Sequence, residues 1–183
     1  MESRSMMTTF LLATAGSPAG AAGGKVVAPR ERIVALAFDG GSRALLKAYP
    51  SALCRSGNEG CDWEPVPLPK AVDGGRIAAA SISAHGKRTL YIAGSGFGVL
   101  RSFDGGRSWI AVNDGLPTRE VGALTSHADQ PETLHVVVIG HGIFRSDHSG
   151  DHWRLMDAGP REKTLQLVHS NMPGSMQTGW LFA

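Results

Sequence analysis

Arg101-Ser102-Phe103-Asp104-Gly105-Gly106-Arg107-Ser108-Trp109 is the stretch whose reading decides the fold. An apolar run, Gly98-Val99-Leu100, leads into it, and Trp109-Ile110-Ala111-Val112 leaves it, so it reads as the turn between two strands. An Asp side chain in such a turn accepts hydrogen bonds from nearby backbone N–H groups. Gly106 supplies a positive φ that a Cβ would penalise. Trp109 carries a large apolar area into whatever layer packs beside the turn.

The pattern recurs. Downstream the chain reads Arg145-Ser146-Asp147-His148-Ser149-Gly150-Asp151-His152-Trp153, and upstream Arg55-Ser56-Gly57-Asn58-Glu59-Gly60-Cys61-Asp62-Trp63. Arg-Ser, Gly and Trp stay in register, while the place of Asp104 is taken by Asn58 and His148. The lead-ins match (Leu53-Cys54, Val99-Leu100, Ile143-Phe144), and each copy is followed by a short strand and a proline, Pro69, Pro117 or Pro160. A period of about 45 residues is what one four-stranded propeller blade requires.

The order Ser-x-Asp-x-Gly-x-x-Trp resembles the Asp-box of BNR-repeat β-propellers, and the resemblance covers about residues 30 to 183. It implies an all-β fold, a β-propeller of four-stranded antiparallel blades with about three and a half blades in this chain. The implied blades are residues 30–69, 70–117 and 118–160, with a partial one at 161–183. It also implies that Ser56, Asn58, Gly60 and Trp63, then Ser102, Asp104, Gly106 and Trp109, then Ser146, His148, Gly150 and Trp153 are structural. Asp-boxes lie on outer turns between third and fourth strands, away from the central channel, and the box tryptophans are expected in the core.

The strands follow from the pattern within each repeat. The first repeat gives Ile33–Phe38, Ala44–Tyr49, Ala52–Arg55 and Trp63–Val66; Pro65 and Pro67 make the last an edge strand, since proline cannot donate to a ladder. The second gives Ile77–Ser83, Thr89–Ala93, Gly98–Arg101 and Trp109–Val112. In the third, Leu134 to Ile139 is apolar on successive residues, the signature of a strand buried on both faces. A fourth repeat begins at Thr164–His169, and Gly179–Ala183 matches the start of a second strand. No fourth box follows.

Residues 1–29 admit two readings. Met6 to Ala15 and the small residues after it resemble a poor signal peptide, broken by threonines and burdened by Glu2. Alternatively Phe10-Leu11-Leu12-Ala13 is a strand like Leu90-Tyr91-Ile92-Ala93, and this reading is favoured, with a cytoplasmic location ahead of an exported one. No segment is long enough to cross a membrane as a helix. The net charge of +2 with scattered basic residues points to neither nucleic acid nor an anionic membrane. Cys54 and Cys61 flank one box turn, which leaves open a disulfide across it or two reduced thiols.

Asp-box sialidases use an arginine triad and a tyrosine nucleophile with carboxylate partners. Only Tyr49 and Tyr91 exist here, neither in such a setting, so no catalytic residue is assigned. Arg55, Arg101 and Arg145 read as inter-blade hydrogen-bonding residues, because equivalent positions on successive blades do not converge. His141, His148 and His152 have metal-like spacing, but His141 falls at the far end of the third strand from the box, so neither metal nor cofactor is expected. The expected function is a non-enzymatic scaffold or binding module for protein-complex assembly, similar to sortilin-type and photosystem II assembly-factor propellers. The alternative is a carbohydrate-active or carbohydrate-binding propeller. A half-ring of blades leaves apolar sheet bare, so closure by residues 1–29, by a second copy or by a protein partner is expected.

Overall fold

A computed structural model describes residues 31–39, 43–83, 89–127, 129–159, 167–170 and 180–182. The readings placed on residues 1–29, on Thr164 to Gln166 and on the loop before Trp180 lie outside them. The described residues form three antiparallel four-stranded sheets and one strand pair, with no α-helix and a single 3₁₀ turn, Lys70–Val72. The first sheet is β1 (Ala35–Asp39), β2 (Ala44–Tyr49), β3 (Ala52–Ser56) and β4 (Glu64–Val66). The second is β5 (Arg76–Ile82), β6 (Leu90–Ser95), β7 (Gly98–Ser102) and β8 (Ile110–Ala111). The third is β9 (Val121–Ser126), β10 (Leu134–Val138), β11 (Gly142–Ser146) and β12 (Arg154–Asp157), and β13 (Val168–Ser170) pairs with β14 (Trp180–Phe182). Each sheet runs in simple meander order, as a propeller blade does.

One register is shared by all three blades. Leu45 pairs with Ser56, Leu90 with Ser102 and Leu134 with Ser146, so the second strand meets the box serine at the same step each time. Alternation then assigns the faces. Leu46, Ala48, Leu53 and Val66 of blade one pack against Ile77, Leu90, Ile92 and Leu100 of blade two. Tyr91, Ala93 and Val99, on the opposite face of blade two, pack against Leu134, Val136, Val138, Phe144 and Trp153 of blade three. Val137 and Ile143 face the other way and meet Leu167. That two-sided cover is why β10 is buried at every residue.

Several strands are shorter than the pattern predicts, β4 and β10 by a single residue and two others for visible reasons. β1 begins at Ala35, not Ile33, which is exposed. β8 ends at Ala111, because the Asn113 side chain enters the ladder in place of the backbone: its Oδ1 accepts from Val99 N–H at 2.7 Å. Pro65 lies opposite Cys54 on the outer edge, where its missing N–H costs no ladder bond.

Candidate functional site

The three turns of the repeated stretch share one interaction. The serine hydroxyl oxygen accepts from the glycine N–H four residues on: Ser56 from Gly60 at 2.8 Å, Ser102 from Gly106 at 2.7 Å, Ser146 from Gly150 at 3.0 Å. The residue before each glycine (Glu59, Gly105, Ser149) and the glycine itself all have positive φ, so the chain turns through two successive left-handed residues. The side chain at the Asp104 position adds a variable second layer. Asp104 accepts from the Ser102 hydroxyl, from the Arg107 and Ser108 N–H groups, and from the Ser108 hydroxyl at 2.6 Å. Asn58 accepts from the Ser56 hydroxyl and from Asp62 N–H. The His148 imidazole does not take over the acid's role: the His148 and Gly150 N–H groups go to the Ser146 hydroxyl, Asp151 N–H to His148 O and Ser149 N–H to Glu132 O.

The Ser108 hydroxyl and N–H, followed by the Ser102 hydroxyl, hold the Asp104 carboxyl well below the usual carboxylate range. A folded pKa below the unfolded one stabilises at pH values above the unfolded value and is lost as pH falls through the folded value. In an NMR titration Asp104 should therefore still be ionised at about pH 3, below the ordinary Asp midpoint. Ser108→Ala should move its midpoint up; an ordinary midpoint in the unaltered protein would mean that the turn does not close in solution.

The tryptophans join blade to blade, each reaching back to the one before. Trp109 Nε1–H donates to Pro67 O at 2.9 Å and Trp153 Nε1–H to Val112 O at 2.7 Å. Trp153 is 1% exposed, but Trp109 and Trp63 are only half-buried, which corrects the expectation that all three are core residues. Trp63 has no described blade before it; the Lys47 ammonium lies over its ring at 3.9 Å. The arginines reach forward. Arg101 Nη1–H donates to Ser149 O at 2.7 Å and pairs with Asp151 at 2.8 Å, and Arg55 lies against Gly105, the equivalent of Ser149. Arg145 departs from the predicted inter-blade role: it folds back onto Asp147 at 2.6 Å.

His141 sits at the start of β11 and His148 beyond its end, while His152 binds Asp114 at 2.7 Å. Among the described residues no group of three His, Cys, Asp or Glu side chains is gathered as metal ligands. Cys54 and Cys61 are free thiols; the disulfide weighed between them is not formed, since Cys54 lies opposite Pro65 in the ladder and Cys61 is out in the turn. Burial pushes the Cys54 thiol up, with Lys47 opposing it. No helix among the described residues is long and apolar enough to cross a membrane.

Among the described residues, two concavities are formed between blades, and a third lies beside blade one, lined by Leu53, Pro65, Leu68 and Val72. The first strands of the blades, β1, β5 and β9, together with Leu167, surround a central cavity of about 510 Å³. Its described lining is Ala, Val, Leu, Ile, Phe, Ser and Thr, and Leu36 and Phe38 are 64% and 58% exposed there. Ser81 and Ser126 hydroxyls bond at 2.8 Å between β5 and β9, closing that part of the wall. The second concavity lies between blades two and three, beside their box turns. It joins residues from both repeats, and no local motif announces it.

The architecture is that of a β-propeller, here a partial one. The chain is similar to YCF48 bound to D1 peptide (19% identity, TM-score 0.61, 77% of this chain and 46% of that one). It is also similar to the GH74 xyloglucanase of Xanthomonas campestris (20%, 0.60, 76% and 25%) and to a chain of the nidogen/laminin complex (15%, 0.66, 78% and 54%). The chain thus spans from a quarter to about half of these solved propellers, and at such identities the likeness shows the fold alone. No protein-family profile and no curated protein matches it by sequence.

Proposed function

We propose that this chain is a non-enzymatic β-propeller module of the Asp-box kind that holds a polypeptide in the assembly of a protein complex. The blades are residues 30–69, 70–117 and 118–160, with a partial blade at 161–183. The observation that carries the reading is the central cavity. Its wall presents exposed Leu36 and Phe38 among small apolar and hydroxyl residues, a surface that gains by burying the apolar side chains of a partner. Glycoside cleavage requires two carboxyl groups facing one sugar, and the described lining of this cavity carries none. The shared Ser-to-Gly bond of the three turns supports the Asp-box reading. YCF48, whose structure includes the D1 peptide, supports a peptide as occupant.

A photoreactive amino acid placed at Phe38 in the native host is expected to yield adducts with a discrete polypeptide, and Leu36→Asp in the same chain is expected to abolish them. Adducts that persist with Leu36→Asp would overturn the reading. So would saturable glycan binding or polysaccharide cleavage by the purified protein without any polypeptide adduct.

A further inference from the structure

The face of blade one turned away from blade two carries Leu36 and Phe38 on β1, Leu45, Lys47 and Tyr49 on β2, and Trp63. Alternation puts them on one side of the sheet, since Leu36 lies opposite Lys47 and Phe38 opposite Leu45. At the places of Leu45 and Lys47 the later blades have Leu90 and Ile92, then Leu134 and Val136, and all four are buried. Here Leu36 and Phe38 are exposed, while Leu45, Lys47, Tyr49 and Trp63 are half-buried. The face is continuous with the central cavity, whose wall includes Leu36 and Phe38.

Two donors on this face have no acceptor among the described residues. The Lys47 ammonium lies over the Trp63 ring at 3.9 Å and near the Tyr49 ring at 5.8 Å, and no carboxylate or carbonyl accepts from it. Trp63 Nε1–H makes no bond, whereas Trp109 and Trp153 give theirs to backbone carbonyls of the preceding blade, Pro67 O and Val112 O. Neither Lys47 Nζ nor Trp63 Nε1 is shut off from solvent. A neighbour as apolar as the later blades present would bury the ammonium with no anion beside it, at a heavy desolvation cost. The occupant that suits this face brings a carboxylate for Lys47, a backbone carbonyl for Trp63, and apolar side chains for Leu36, Phe38 and Leu45. A second copy laid head to tail would bring the Arg145 side of blade three, whose Asp147 already serves Arg145 and Arg154. Residues 1–29 hold one acid, Glu2, followed by Ser3 and Arg4 and not by apolar residues.

We propose that the polypeptide held at this site carries an aspartate or glutamate set among apolar residues, its carboxylate seated on Lys47 and a nearby backbone carbonyl on Trp63 Nε1–H. The inference rests on the polypeptide-holding reading given above and names the chemistry that selects the partner: Lys47 is the residue that discriminates an acidic segment from a wholly apolar one.

The test places a benzophenone-bearing amino acid at Phe38 of the full chain in the native host and reads the captured sequence by mass spectrometry of the adduct. An aspartate or glutamate is expected within about three residues of the cross-linked one, the reach of a short strand segment. Lys47→Arg should keep the adduct yield, and Lys47→Met, apolar and of similar length, should lower it about tenfold or more. The Tm of purified Lys47→Met should stay level, since the side chain is only half-buried. With the captured sequence made as a synthetic peptide, Lys47→Glu should lose binding and regain it when the acid of the peptide is changed to lysine, a rescue that a folding defect would not give. No adduct in any version would overturn the polypeptide reading and this inference together. A polypeptide adduct that lacks the acid, that persists in full with Lys47→Met, or that shows no rescue by charge exchange would overturn this inference and leave that reading standing. Adducts to a second copy or to residues 1–29 would overturn it as well, by naming another occupant.

Discussion

Trp153→Ala should destabilise the protein by about 3–5 kcal/mol, the range for truncating a fully buried aromatic. The ring fills the seam where blade three meets blade two, among Val112, Val136 and Phe144, and is 1% exposed. Its removal also leaves Val112 O without the indole donor. For a domain of this size that is a fall in Tm of about 6–20 °C. Trp63→Ala removes the equivalent residue from the face of blade one that no described blade covers, and should cost about 1 kcal/mol, mostly the loss of the Lys47 contact. The comparison between the two variants carries the information. Equal losses, read by thermal unfolding, would mean that the blade-one face is covered in solution and that the difference in burial does not hold.

Gly106→Ala should be the most damaging of the three box-glycine substitutions, and Gly60→Ala the mildest. The backbone penalty is common to them, since φ is 91° at Gly60, 96° at Gly106 and 94° at Gly150; placing alanine there costs about 1 kcal/mol or somewhat more. What differs is the neighbour. A Cβ on Gly106 runs into Val66 Cγ1, a core side chain of the preceding blade, and overpacking adds about 1–3 kcal/mol. On Gly150 the nearest atom is Val112 Cγ2 at 3.0 Å, again across a blade boundary. On Gly60 it is Leu45 Cδ1 at 3.3 Å, a half-buried side chain of the same blade that has room to move. Denaturant midpoints should therefore fall in the order Gly60, Gly150, Gly106. An indistinguishable set would place the whole effect in the backbone and remove the inter-blade contact from the account.

Equivalent positions in the three blades carry different residues according to what covers them. The residue facing the preceding blade is Ile92 in blade two and Val136 in blade three, and both are fully buried. The equivalent in blade one is Lys47, laid over Trp63. In blade three, Arg145 pairs with Asp147, which also binds Arg154 at 3.0 Å. Partial burial pushes the Asp147 carboxyl up, but the two arginines prevail and hold it below its ordinary value. Charges stand in place of apolar contacts on the sheet faces that no described blade covers in full.

The strands, their order and their common register were legible in the sequence because they depend on local periodicity, on turn residues and on a repeat seen three times. Leu134 to Val138, apolar but for His135, even disclosed that a sheet is covered on both sides. The inner strands that form the central cavity could be read in the same way, Ile33 to Phe38 among them. Lys47, standing where the other blades have Ile92 and Val136, was a visible signal of an uncovered face. The tertiary structure alone decided the rest. Trp63, Trp109 and Trp153 occupy one motif position, yet only Trp153 is fully buried: Trp63 meets no described blade, Trp109 lies at the edge of blade one against Pro67, and Trp153 sits among Val112, Val136 and Phe144. Arg101 and Arg145 begin identical dipeptides, yet one spans to Ser149 of the next blade and the other folds back onto Asp147. The cleft between blades two and three gathers Tyr91 and Arg101 from one repeat and Glu132 and Asp151 from the next; such a concavity arises from the angle between two blades, and no local spacing encodes that angle.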